Sequence, residues 1–201
     1  MAFCGGTADM NLSAIILAGG ASKRMGQDKA SVQFKGYSLL SLAVEKVRQL
    51  GIQEVFISGR TGIEYSTLNC PVLSDLDPGC GPLGGIERGL HASSSTLLLV
   101  LAVDLPHMDT AFLEKLIAQC DGSTGVVPKL DGWLEPLAAI YPKRCHLIAS
   151  DFLARSRRAA HEFAERCLEE SAVRIMRVAH ADAGCFTNWN TPADITTSDG
   201  T

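Results

Sequence analysis

The sequence lacks what would mark several common classes of protein. None of its seven cysteines is spaced as C-x-x-C, and their number is odd. Neither a disulfide framework nor a zinc site is expected; reduced thiols, each a small core residue, fit better. Long hydrophobic runs are missing: Leu97 to Val103 is far too short to cross a bilayer. The first twelve residues hold no Lys or Arg, so no secretory leader is read there. Excess positive charge is also absent. A net charge of −4 argues against a nucleic-acid binder that works by neutralising phosphates. The expectation is a cytoplasmic protein with neither nucleic acid nor membrane as a partner.

What remains is the composition of a folded enzyme-sized chain. It has 201 residues, 46% hydrophobic and 20% charged, enough for one globular domain with a real core. Residues 1–12 read as a mobile leader, 13–195 as a single domain and 196–201 as a tail.

Within that domain apolar runs alternate with helical patterns. Ser13 to Leu17, Glu54 to Ile57, Pro71 to Leu73 and Leu97 to Val103 read as strands. Leu39 to Leu50 reads as an amphipathic helix ending at Gly51, Ile86 to His91 as helical, and Thr110 to Gln119 as a helix capped by Asp109. Further on, Trp133 to Tyr141 reads as a strand, Arg157 to Glu170 as an amphipathic helix and Val173 to Val178 as a strand. Thr191-Pro192 resembles a helix opening. The run "TLLLVLAVD" is apolar at both parities, as a strand buried on both faces would be, and delivers Asp104 at its carboxyl end. The alternation predicts an α/β fold: a Rossmann-like, mostly parallel sheet with helices on both faces. Ligands of such sheets bind outside the carboxyl ends of the strands.

The stretch "LAGGASKRMGQDKA", Leu17 to Ala30, follows the first strand with three cations against one carboxylate. It fits neither of two familiar nucleotide motifs. A dinucleotide fingerprint needs G-x-G-x-x-G, and a P-loop needs a Lys after its last glycine, which Gly26 does not have. Its chemistry still suits phosphate. Gly19 and Gly20 let successive N–H groups turn toward an anion, Arg24 can fork two oxygens and Lys29 adds a compact charge. A strand-to-helix turn with solvated cations would use the same glycines, and the glycines alone leave both readings open.

The stretch resembles the signature of molybdenum cofactor guanylyltransferases, roughly L-A-G-G-x-S-x-R-M-G-x-D-K. "LSDLDPGCGPLGGI", "VLAVDLPHM" and "NWNTPADI" follow in the order that family has them. The likeness spans about residues 13–195. It implies a nucleotidyltransferase-type domain, with a nucleotide half at about 13–110 and an acceptor half at about 120–195. Members transfer GMP from GTP to the phosphate of molybdenum-bearing molybdopterin and release pyrophosphate, with Mg²⁺. Transient contacts with cofactor-delivering and cofactor-receiving proteins are also implied.

Carried onto this sequence, Leu17, Ala18 and Gly19 would hold the nucleotide through backbone groups, and Gly20 would complete the turn. Lys29 would bind the phosphates with help from Arg24, Asp75 would contact the guanosine moiety, and Asp104 would ligate Mg²⁺. Gly19, together with Gly81, Pro82 and Leu83 of a G-P-L-x-G segment, resembles the guanine version of the family rather than the cytidylyl relatives. Ser58 stands where the family often carries Asn, and one hydroxyl cannot offer an amide's two-sided pattern. Arg157 and Arg158 resemble basic residues that neutralise the acceptor phosphate, and Asn188 and Asn190 lie in a segment that faces the acceptor in relatives. His107 reads as a loop residue rather than a base. Glu135 matches a recurring position with no role derived from sequence. The competing readings are a cytidylyltransferase of the same cofactor, a sugar-1-phosphate nucleotidyltransferase and a non-catalytic GTP-binding cofactor carrier.

Overall fold

The computed structural model describes residues 11–18, 33–34, 36–59, 68–74 and 79–189. Strand β1 (Leu12–Leu17) starts one residue earlier than its pattern suggested. A short hairpin follows, β2 (Gln33–Phe34) with β3 (Tyr37–Ser38), and then helix α1 (Leu39–Gln49). Ser38 caps that helix by accepting from the Ser41 N–H at 3.1 Å. Gly51, at φ +81°, takes the left-handed position just past its end. Strand β4 (Val55–Gly59), strand β5 (Val72–Ser74), helix α2 (Gly81–Ala92) and strand β6 (Leu97–Ala102) complete the first half.

The second half holds α3 (Thr110–Ala118), β7 (Gly125–Leu130), β8 (Trp133–Leu134), β9 (Ala138–Pro142), α4 (His146–Ala154), α5 (Ala160–Glu169) and β10 (Val173–Arg177). Asp109 caps α3 as expected, accepting from the Phe112 N–H at 2.7 Å. Three expectations need correction. Helix α2 begins at Gly81, five residues before the periodic pattern does. The run from Trp133 to Tyr141 is two strands with a turn between them, not one. Helix α5 begins at Ala160, which leaves Arg157 and Arg158 in the loop before it.

The sheet has eight strands in the order β10-β7-β9-β6-β1-β4-β5, with β8 paired to β7. Strand β1 is parallel to both β4 and β6, and β10 is parallel to β7, while β9 runs antiparallel to β6. The α/β, mostly parallel architecture is as the sequence predicts. Side-chain alternation divides the core into two layers. Ala14, Ile16, Leu97, Leu99 and Leu101 pack with α1 and α3 on one face. Ile15, Leu17, Leu98 and Val100 pack with α2, α4 and α5 on the other. That is why "TLLLVLAVD" is apolar at both parities. No helix among the described residues is long and apolar enough to cross a membrane.

Candidate active site

From β1 the chain moves through α1 to β4 and β5 on one side, then returns through α2 to β6 on the other. The strand order therefore reverses between β1 and β6, and it is outside the carboxyl ends of strands at such a reversal that open α/β sheets form their ligand crevice. Leu17 pairs with Ser58 on β4 and with Ala102 on β6. Ala18 and the Val103–Asp104 turn thus lie side by side at that edge.

Each predicted residue has a definite place here or lies outside the described residues. Gly19, Gly20, Arg24, Lys29, Asp75 and Asn190 lie outside them, as do Thr191 and Pro192. The Leu17 carbonyl accepts from the Val103 N–H at 3.2 Å, and the Ala18 N–H donates to the Ser58 carbonyl at 2.9 Å. Those groups tie the sheet together, so the Leu17 carbonyl and the Ala18 N–H are engaged within it. The half-buried Asp104 stands in the turn after β6, where its carbonyl accepts from the Trp189 N–H at 3.0 Å. That bond brings the neighbouring Asn188, which is exposed, to the same edge.

Ser58 lies inside β4, which runs on through Gly59 by pairing with β5, and is only 5% exposed. Its hydroxyl faces Gly85 of α2: a Cβ built on Gly85 would stand 2.5 Å from Ser58 Oγ and 2.7 Å from Leu17 Cδ2. Gly81, at φ +64°, and Pro82 open the helix at the crevice, exposed. The Leu83 side chain instead enters the core.

Arg157 and Arg158 are both engaged. Arg157 lies 4.0 Å over the Phe152 ring and pairs with Glu162 at 2.8 Å. Arg158 Nη1 donates to the Gly79 carbonyl at 3.1 Å, joining the loop before α5 to the loop before α2. His107 packs against Phe34 and Trp189, ring to ring, in the turn the sequence assigned it. Lys46 of α1 was not singled out from sequence. Its Nζ donates to the Pro106 carbonyl at 2.7 Å, beneath the turn that carries Asp104. Burial lowers its ammonium from the usual value, and nearby Asp109 opposes that shift. A lysine on the core-facing side of an amphipathic helix was the available signal.

The arrangement offers hard oxygen ligands. Among the described residues no three His, Cys, Asp or Glu side chains gather as a metal cage. A single carboxylate such as Asp104, completed by water and phosphate oxygens, is a donor set suited to Mg²⁺.

Residues 14–175 match the family described as "MobA-like NTP transferase domain". A molybdenum cofactor guanylyltransferase of Syntrophotalea carbinolica is 31% identical over 190 residues, covering 90% of this chain and 88% of that protein. One from Xanthomonas euvesicatoria is 41% identical over 105 residues, 52% of each chain. The solved structure of molybdopterin-guanine dinucleotide biosynthesis protein A from Archaeoglobus fulgidus shares the fold, with a TM-score of 0.72 and 24% identity. That alignment covers 92% of this chain and 96% of the other. With the family matched over residues 14–175, from within β1 to within β10, the chain belongs to the MobA-like NTP transferase domain family and is a nucleotidyltransferase.

Proposed function

We propose that the protein transfers GMP from GTP to the phosphate of molybdenum-bearing molybdopterin, forming molybdopterin guanine dinucleotide and pyrophosphate. The observation that carries this reading is the strand reversal that sets Ala18 beside the Val103–Asp104 turn, in a family whose similar members bear that activity in their names. The acceptor phosphate oxygen attacks the α-phosphorus of GTP, and the bond from that phosphorus to the β-phosphate oxygen breaks. A phosphate nucleophile is already anionic near neutral pH, so no general base is needed. What the protein must supply is alignment of two anions and relief of their repulsion.

In this reading Gly19 and Gly20 present backbone N–H groups to the nucleotide, Lys29 and Arg24 neutralise its phosphates, and Asp75 meets the guanosine. Gly81 and Pro82 open α2 beside it, with Leu83 anchoring that turn in the core. Asp104 would hold Mg²⁺, whose chemistry is to offset phosphate charge with its own positive charge. Asn188 and Asn190 face the acceptor. Arg158 holds the acceptor loop against the α2 loop, and Arg157 reaches an acceptor phosphate only by leaving Glu162. The whole forms one nucleotidyltransferase domain that works with GTP and the molybdenum cofactor in the cytoplasm, in transient contact with the proteins that deliver and receive it.

Incubation with GTP, Mg²⁺ and molybdopterin carrying molybdenum should yield the guanine dinucleotide and pyrophosphate. Product from CTP but not GTP would replace the reading with cytidylyl transfer, and GTP binding without product would leave a carrier. Asp104→Ala should abolish turnover while sparing part of the nucleotide binding. Lys29→Ala should weaken GTP binding and turnover together.

A further inference from the structure

The acceptor side of the crevice carries an aromatic ring and a carboxylate that phosphate transfer itself does not use. Strands β7 and β8 turn over at Asp131 and Gly132, with φ of 48° and 89°, so backbone geometry fixes the hairpin tip. Trp133 follows and is 69% exposed. Leu134 enters the core, so Trp133 and Glu135 emerge together on the other parity of the strand. His161, in the first turn of α5, meets Trp133: its ring lies 6.0 Å from the indole at 52°. Glu135 is half-buried, and burial pushes its carboxyl above the usual value, with nearby His161 opposing that shift.

The position of this group matters as much as its chemistry. The Glu135 N–H donates to the Pro128 carbonyl at 2.8 Å, and the Ala102 N–H donates to the Leu137 carbonyl at 2.8 Å, two residues before Asp104. Since β9 runs against β6, its start rather than its end reaches the crevice. Adjacent strands stand about 4.8 Å apart, so β7 and its hairpin lie roughly 10 Å beyond β6, on the side away from β1. That is the side open to an acceptor whose phosphate meets the nucleotide over β1 and β6.

We propose that Trp133, Glu135 and His161 form the subsite for the acceptor's ring. The indole stacks on the flat aminopyrimidinone ring of a fused heterocycle, the Glu135 carboxylate accepts from its amidine N–H edge, and His161 closes the side. The proposal rests on the reading that the acceptor is molybdopterin, whose pterin has such an edge. Guanine offers the same edge, but its place is beyond β1, toward β4 and β5. An exposed tryptophan is a ready stacking surface, and a carboxylate withdrawn from water binds N–H donors more strongly.

Two measurements test it. With GTP saturating, Trp133→Ala and Glu135→Gln should each raise the acceptor KM about tenfold or more and leave the GTP KM unchanged. Trp133→Phe should recover most of the loss. Independently of turnover, the unaltered chain should bind neopterin, a fluorescent pterin with neither metal nor phosphate, saturably by fluorescence anisotropy. Trp133→Ala and Glu135→Gln should weaken that binding about tenfold. Equal neopterin binding by all variants, or none by the unaltered chain, overturns the proposal. A rise in the GTP KM instead overturns it in favour of a base pocket. Trp133-dependent neopterin binding by a chain that makes no dinucleotide would uphold the subsite and reject the reaction.

Discussion

Gly85 has its place because nothing larger fits between helix α2 and the first two strands of the crevice. A methyl group there would meet the Ser58 hydroxyl and the Leu17 side chain, and at Gly89, one turn on, it would meet Ile15 and Leu98 at 2.8–2.9 Å. Gly85→Ala should therefore cost about 1–3 kcal/mol in urea unfolding, with GTP binding weakened as Leu17 is pushed aside. At the opposite end of β1 a polar group is buried instead. Ser13 donates to Glu54, its hydroxyl lies 2.7 Å from that of Ser95, Ser93 donates to Ser13 at 3.0 Å, and the Ser94 N–H donates to Glu54 at 2.9 Å. Burial alone would raise the Glu54 carboxyl, but the hydrogen bonds from Ser13 and Ser94 outweigh it and hold the group below its usual value. A depressed carboxylate stabilises the fold above its unfolded pKa and ceases to do so as pH falls through its folded one. Glu54→Gln should lose about 1 kcal/mol at neutral pH and flatten the acid limb of stability measured below pH ~4.5. An unchanged acid limb would refute that role.

Helix ends account for most of what the sequence does not disclose. Helix α4 closes with Ser156 at φ +58°, the Ser156 N–H on the Leu153 carbonyl at 2.9 Å and the Arg157 N–H on the Phe152 carbonyl at 2.8 Å. Helix α5 closes the same way through Ser171 at φ +52° and the Ala172 N–H on the Cys167 carbonyl at 2.9 Å. Both are Schellman endings with serine where glycine is usual, and so they carry no sequence signal. Arg157 belongs to the stop of α4 rather than the start of α5, which is why "RSRRAAHEF" reads as helix too early. Ser156→Gly should relieve the left-handed strain and raise stability by about 0.5–1 kcal/mol, read as a higher urea midpoint. The start of α2 was hidden for the reverse reason: Gly-Pro-Leu-Gly-Gly has poor helix propensity, and close packing outweighs it. Strand β7 went unread because Pro128 and Lys129 break its apolar run. Helix α4 has no side-chain cap to announce it. The edge at the strand reversal, by contrast, was plain in the sequence, because Leu17 ends one unbroken apolar strand and Asp104 follows another. The pairing of Trp133 with His161 was not, since it depends on a hairpin and a helix meeting across 28 positions of sequence.

Across the whole molecule, the proposed reaction uses one sheet edge for two ligands, the nucleotide on the β1, β4 and β5 side and the acceptor on the β9, β7 and β8 side. Binding that favours the folded state should register globally. At a hundredfold excess over its Kd, GTP with Mg²⁺ should raise Tm by roughly 5–10 °C; an equal rise with CTP at that same concentration would contradict guanine selection. The central position of β1 also bears on how the protein is made. Its register with β6 joins Leu12 to Leu97, 85 positions apart, so the middle of the sheet cannot close until most of the first half has left the ribosome. Until then the buried faces of β1, Ile15 and Ile16 among them, have only β4 as a strand partner, and their other edge stays open to neighbouring chains. Pairing over so long a loop is slow, and an open apolar edge is where aggregation begins. Synthesis rate and temperature should therefore govern the soluble yield of this protein more than its final stability does.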